Sequence, residues 1–213
     1  MTHRTRTYPG VPGLLAEFEG KHEAIRKRLE EFARVRPEEY FYELAYCLCT
    51  PQSSAVNAAR AVELMRSANI QNSHDDPLPF LHHKTHYIRF HNTKAQHLMR
   101  ARELFPEIRL ALLNGHTSHQ LREWLVLNVK GLGWKEASHF LRNIGHRNLA
   151  ILDRHILRNL KEHRVIRSLP ASLSRRTYLD TEQRFLAFAG WVGISVDELD
   201  LLFWSRETGE ILK

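Results

Sequence analysis

Apolar residues recur at three- and four-residue spacing through most of the chain, which is the pattern of one-sided helices and not of strands. The spacing runs through residues 14–35, 40–49, 55–65 and 95–104, and resumes at 108–113, 121–129, 137–144, 156–160, 185–192 and 196–204. No stretch alternates apolar and polar positions convincingly. The punctuation agrees with about ten short helices. Pro37 suits a first helical turn, Asn92 and Ser118 suit N-caps, and Pro51, Pro77, Pro79 and Pro106 fall at breaks. Residues 71–91 are the least regular, ending in HHKTHYIRFH, and read as a surface loop. The expectation is an all-α protein.

Composition narrows the class. At 213 residues with 43% hydrophobic content the chain can build a real core. Its only cysteines, Cys47 and Cys49, support neither a disulfide framework nor a four-cysteine metal or iron–sulfur site, which fits a reducing cytoplasm. No run approaches the roughly 20 apolar residues that span a bilayer. Lys and Arg number 31 against 24 Asp and Glu, a formal charge of +7, with 14 histidines besides. That balance favours a polyanionic partner.

The most informative stretch is VKGLGWKEASHF, residues 129–140. Leu121, Leu125, Leu127 and Val129 give one helix an apolar side, Gly131-Leu132-Gly133 breaks it, and Lys135 opens the next helix. Glycines can take positive φ and approach another surface closely, so their amides and the following helix N-terminus can hold a phosphate, with Lys130 beside them. The plainer alternative is that Gly131 closes one helix and Gly133 serves the turn. Lys135 would sit at the positive end of a helix and near Lys130, both of which disfavour an ammonium there. An uncharged amine attacks carbon, whereas a solvated first-turn lysine does nothing of the kind. Eighteen residues on, Asp153 in LAILDRHI precedes a helical pattern and suits an N-cap. A capping carboxylate keeps a second oxygen that can act as a base or stabilise a cation.

Other residues are less distinctive. Arg154 and His155, flanking Asp153, suit phosphate contact or plain solvation, while Arg142, Arg147 and Arg158 read as a charged helix face. His82, His83, His86 and His91 crowd one segment, with 82 and 86 four apart. No carboxylate or cysteine joins them at a persuasive spacing, so no metal site is expected. Gln52 follows Thr50-Pro51 at an expected helix start.

VKGLGWK, EASHFLRNIG and LAILDRHI together resemble the helix-hairpin-helix and aspartate signature of the base-excision DNA glycosylase superfamily. The compact archaeal and bacterial branch of 8-oxoguanine DNA glycosylase/AP lyases is the most similar. The likeness extends weakly to CLCTPQSSAVNAARAV and to LDLLFWSRETGEILK. It departs at residues 145–152, which lack the superfamily's proline, and in lacking the cysteine cluster of iron–sulfur members.

The resemblance implies two helical lobes with an active-site cleft between them. Residues 34–147 would form a central lobe holding the helix-hairpin-helix at about 121–145, and residues 1–33 with 148–213 a second lobe built from both chain ends. It implies Lys135 as nucleophile at the sugar C1′ and Asp153 as its acidic partner. Gly131, Gly133, Lys130, Arg154 and His155 would hold the DNA backbone, and Gln52, Phe90, Trp204 and Lys213 would recognise the base or wedge the stack. The implied substrate is double-stranded DNA with a damaged base, 8-oxoguanine first, excised through a Schiff base with strand nicking by β-elimination. No cofactor is implied beyond a monovalent cation on the hairpin carbonyls. The implied protein is a prokaryotic, nucleoid-associated monomer. Two alternatives stay open: the same chemistry on another oxidised base, and a non-catalytic helix-hairpin-helix module that needs the glycines but neither Lys135 nor Asp153.

Overall fold

The structure is a computed structural model and describes residues 7–211, without the side chain of Thr208. The described residues are helical and contain no strand. After a 3-10 turn at Pro37–Glu39 is set aside, the elements are α1 (Val11–Ala33), α2 (Tyr40–Cys49), α3 (Ala55–Ser67), α4 (Leu78–Leu81), α5 (His91–Glu103) and α6 (Phe105–Leu113). They continue with α7 (Ser118–Asn128), α8 (Trp134–Asn143), α9 (Arg154–Glu162), α10 (Arg175–Val192) and α11 (Val196–Thr208). Among the described residues none of these helices is long and apolar enough to cross a membrane.

The element that periodicity did not reveal is α4, which lies inside the stretch read as a surface loop. It is too short to show a period, and Pro77 and Pro79 favour its first turn. Its segment is also not loose. Leu81, His86 and Ile88 are buried, Ile88 N donates to Leu81 O at 3.0 Å, and the His86 ring reaches Phe80 O at 3.1 Å. The expected caps shift as well. The N-cap of α7 is Thr117, in a reciprocal capping box with Gln120, and that of α5 is Phe90. Ser118 and Asn92 instead fall inside their helices.

The chain divides into two compact units, Arg34–Ile144 and Met1–Ala33 with Gly145–Lys213. The first is organised by α2 and α8, which pack on each other and are buried from 41 to 49 and from 137 to 143. A helix covered on every side must pair its polar groups internally. Asn143 accordingly donates to the Glu43 carboxylate at 3.0 Å, and the buried Arg122 donates to Ser138 Oγ at 3.2 Å. The same burial overturns the reading of Arg142 as part of a charged face, because α8 has no solvent side at that point. Arg147 is also engaged, on the Leu29 carbonyl, and Arg158 alone of the three is exposed.

In the second unit α11 packs on α1, α9 and α10. Between α8 and α9 runs an apolar link, Leu149, Ala150, Ile151 and Leu152, all buried. Helix α10 satisfies its backbone: Ala150 N donates to Glu182 at 2.9 Å, and the Tyr178 hydroxyl donates to Ala150 O at 2.6 Å and accepts from Leu152 N at 3.3 Å. These bonds hold the start of α9, and so Asp153, in a fixed place. At the head of the link Gly145 has φ +95, and a Cβ there would lie 3.0 Å from the Ala33 Cα, so glycine is required.

Candidate active site

The hairpin between α7 and α8 is pinned from inside by Val129 and Leu132, both buried, with Leu132 N bonded to Val129 O at 3.2 Å. Gly131 takes φ +96, and a Cβ on it would meet the His97 ring, 2.9 Å from Cγ. Gly133 differs from expectation: its φ is −91, open to any residue, and it is the N-cap of α8. Its value lies in having no side chain. Thr117, Asp153, Ser174 and Ser195 each cap their helices through a side-chain oxygen, but Gly133 gives α8 none. No N-cap side chain covers the positive end of α8, but the Glu136 carboxylate of its first turn stands beside Gly133, where a Cβ would meet Oε2 at 2.9 Å, so an anion reaching these amides has to displace that carboxylate.

An open depression of about 570 Å³ follows the hairpin, lined by residues 126–133 and His97. Leu127, which periodicity assigned to the apolar side of α7, stands on this rim 77% exposed. His97 carried no signal in the sequence, since it meets Gly131 only through folding. Burial lowers its pKa, and the charges of Lys130 and Arg100 lower it further, so each of these influences disfavours the protonated ring.

Lys135 is the second residue of α8, with its side chain 24% exposed and Nζ 3.8 Å from Glu136 Oε1. Lys130 is exposed. In the other unit Asp153 is the N-cap of α9, and its Oδ1 accepts from both His155 N and Ile156 N at 2.8 Å. Both bonds fall on one oxygen, so capping leaves Oδ2 outside the arrangement. Arg154 is exposed and its Nε donates to His155 Nε2 at 3.2 Å, while the His155 ring lies 5.1 Å from the Trp204 ring and 3.1 Å from a Glu207 oxygen. Asp153, His155 and Trp204 thus gather where α9 meets α11. Lys213 lies outside the described residues.

Gln52 sits not at a helix start but in a turn ahead of it, since α3 begins at Ala55. It is exposed with φ +56, and Phe90, 53% exposed, has φ +59. Left-handed backbone at residues with a Cβ costs of order 1–3 kcal/mol each and persists only where surrounding structure holds it. The holder is Lys94, which the sequence reading missed. Its side chain, on a residue only 5% exposed, donates to Cys49 O at 2.6 Å, Pro51 O at 2.7 Å and Ser53 Oγ at 3.2 Å, while Ser53 Oγ also accepts from Arg89 N at 3.0 Å. A signal existed: position 94 shares the apolar stripe of α5 with Leu98 and Ala101. A lysine on such a stripe is a buried cation in need of acceptors.

The histidines form two stacked pairs, His82 with His91 at 4.4 Å and His83 with His86 at 4.6 Å between ring centroids. The backbone there is not helical, so the four-residue spacing of 82 and 86 has no common face to act on. Among the described residues no group of three or more His, Cys, Asp or Glu is placed to hold a metal.

Comparison with known proteins bears on what this arrangement does. The family model for 8-oxoguanine DNA glycosylase matches residues 25–194. A protein of Korarchaeum cryptofilum named 8-oxoguanine DNA glycosylase/AP lyase is 41% identical over 192 residues, covering 90% of this chain and 91% of its own. The crystal structure of the 8-oxoguanine DNA glycosylase of Thermotoga maritima matches with a TM-score of 0.85 and 32% identity, over 95% of this chain and 98% of its own. The Methanocaldococcus jannaschii 8-oxoguanine glycosylase/lyase, solved in complex with 15-mer DNA containing 8-oxoguanine, matches with a TM-score of 0.83 and 33% identity over 94% and 99%.

Proposed function

Since the chain belongs to the 8-oxoguanine DNA glycosylase family, we propose that it removes 8-oxoguanine from duplex DNA and then nicks the strand at the emptied sugar. The observation that carries this reading is the position of Lys135, one turn-residue inside α8 and immediately after the glycine hairpin.

A base inside a duplex is out of reach of any side chain, so the damaged nucleotide is turned out of the stack at a cost of a few kcal/mol. Gln52 fills the gap it leaves. The hairpin amides around Gly131 and Gly133, with Lys130 and the exposed Arg154, hold phosphates on either side. Trp204, Phe90 and Lys213 belong to recognition of the lesion, which differs from guanine in bearing a hydrogen on N7. A pocket acceptor facing that hydrogen discriminates strongly, because guanine leaves the acceptor unpaired.

The Lys135 amine attacks C1′ and the base leaves with the electrons of the glycosidic bond. Asp153 assists the loss of the amine proton and stabilises the positive charge that develops on the sugar. Opening of the sugar ring then gives an iminium between Nζ and C1′. That cation acidifies C2′, whose proton is removed, and the 3′ phosphate departs by β-elimination. Water hydrolyses the remaining imine and frees the lysine. Every step balances without oxidant or reductant, so the sequence needs no redox cofactor, and a monovalent cation on the hairpin carbonyls would serve phosphate binding only. The active form is a monomer in the prokaryotic cytoplasm, working on the nucleoid.

Single-turnover assays on duplexes carrying 8-oxoguanine, guanine or an oxidised pyrimidine test this. The wild type should release 8-oxoguanine selectively. Lys135→Gln should lose at least about 10³-fold in both base release and nicking, while duplex affinity stays within about threefold. Equal excision of an oxidised pyrimidine would reassign the substrate, and full activity of Lys135→Gln would remove the mechanism.

A further inference from the structure

The reaction as described needs Gln52 to be presented in a conformation its own backbone disfavours, and the sequence offers no glycine there to ease it. The turn it occupies is short: Thr50 N bonds back to Tyr46 O at 3.0 Å, closing α2, and Ser53 N bonds to Thr50 O at 2.9 Å. Those two bonds leave the carbonyls of Cys49 and Pro51 pointing inward, where Lys94 meets both of them and the Ser53 hydroxyl.

We propose that Lys94 is a positioning residue of the glycosylase reaction, whose ammonium gathers the Cys49 and Pro51 carbonyls and the Ser53 hydroxyl and so locks the turn that presents Gln52 to the DNA stack. This rests on the excision reading given above and adds to it the part of the scaffold that fixes the wedge.

The donor count supports it. An ammonium has three N–H groups and finds three oxygen acceptors, whereas the neutral amine would leave one acceptor unmet. All three acceptors come from the same five-residue segment, so the cation is matched to that turn rather than to the core at large. Ser53 extends the arrangement, because its hydroxyl also receives Arg89 N and thereby ties in the residue next to Phe90. The carbonyl of Phe90 in turn accepts the backbone N–H of Lys94 at 2.9 Å. The two left-handed residues, 38 apart in sequence, hang from one polar node.

A purely structural role would be a poor use of lysine at this position. No carboxylate ion-pairs with Lys94 among the described residues, so its three neutral acceptors offset only part of the cost of burying the charge. Burial pushes its pKa down to about 8, Arg89 and Lys135 push it further down, and Cys49 and Glu136 oppose them. Lys94, the turn it clamps and α8 all belong to the same compact unit.

The test compares wild type with Lys94→Met and Lys94→Gln in two ways. Amide exchange at Ser53 reads the turn without substrate, and should speed up about tenfold or more in Lys94→Met, less in Lys94→Gln, which keeps two donors. On a duplex with one 8-oxoguanine beside 2-aminopurine, Lys94→Met should lose the fluorescence rise of flipping and about tenfold or more in excision rate. Nicking of a preformed abasic site in single-stranded DNA, which needs no wedge, should stay within about threefold of wild type. Unchanged Ser53 exchange overturns the proposal, as does a parallel loss of excision and single-strand nicking. A wild type that excises no 8-oxoguanine refutes the activity instead, and the exchange result still decides whether Lys94 holds the turn.

Discussion

Lys94 shows how much a single residue can carry that no linear pattern states. Its acceptors lie 41 to 45 positions away, so the pairing exists only after α2, the turn and α5 have packed. Its lowered pKa makes a prediction with a definite sign. In the unfolded chain lysine keeps its proton to about 10.5, while in the folded protein it releases it near 8. Between those values unfolding takes up a proton, so this residue's contribution to stability rises with pH across the window. Urea unfolding of wild type and Lys94→Met at pH 7.5 and 9.5 should therefore show the wild type gaining relative to the variant at the higher pH. Cys49, pushed up to about 12 by burial against an opposing pull from Lys94, has the opposite slope above its ordinary value; removing Lys94 only raises it further, so at pH 9.5 the folded thiol is protonated in both proteins and its effect on the difference is small. A wild-type advantage that stays flat or shrinks would mean that the amine is not desolvated as the packing implies.

At the level of elements, periodicity located the longer helices, missed the four-residue α4 and misplaced individual residues on helix faces. Three- and four-residue spacing located α7 and α8 and the break between them, because amphipathic periodicity is a local property. It misjudged Leu127 and Arg142 for opposite reasons. The first is apolar but stands on the hairpin rim, and the second is charged but belongs to a helix with no solvent side. The places of Lys135 in the first turn of α8 and of Asp153 as a cap were legible because a glycine hairpin and a cap have fixed chemical requirements. His97 and Lys94 were not, because each is defined by a partner distant in sequence. Asp153 also permits an experiment on its element. Only Oδ1 serves the cap of α9, and asparagine supplies that oxygen without the charge. Asp153→Ala should lose about 1 kcal/mol, a fall in Tm of roughly 2–4 °C, and Asp153→Asn far less. Both should lose base excision. If Asp153→Asn melts like the wild type and also excises like it, the residue is a cap and nothing more.

On the scale of the whole molecule, a formal charge of +7 fits a protein whose first contact with its substrate is with phosphate. Each phosphate neutralised by a side chain steepens the salt dependence of duplex affinity by a slope of about 0.9 in logarithmic units. Arg154→Ala should flatten that plot by about one unit, as expected for a cation released to reach phosphate. His155→Ala should leave it unchanged, because that ring is held between Trp204 and Glu207. Equal effects would mean that the two side chains rearrange on binding. The account as a whole depends on a covalent bond between one amine and deoxyribose. Borohydride reduction during reaction with a duplex carrying 8-oxoguanine, followed by peptide mapping of the cross-link, reads that bond directly. The wild type should be trapped on the DNA at Lys135 and Lys135→Gln should not be trapped. Absence of a cross-link in the wild type, or its attachment to another residue, would contradict the assignment.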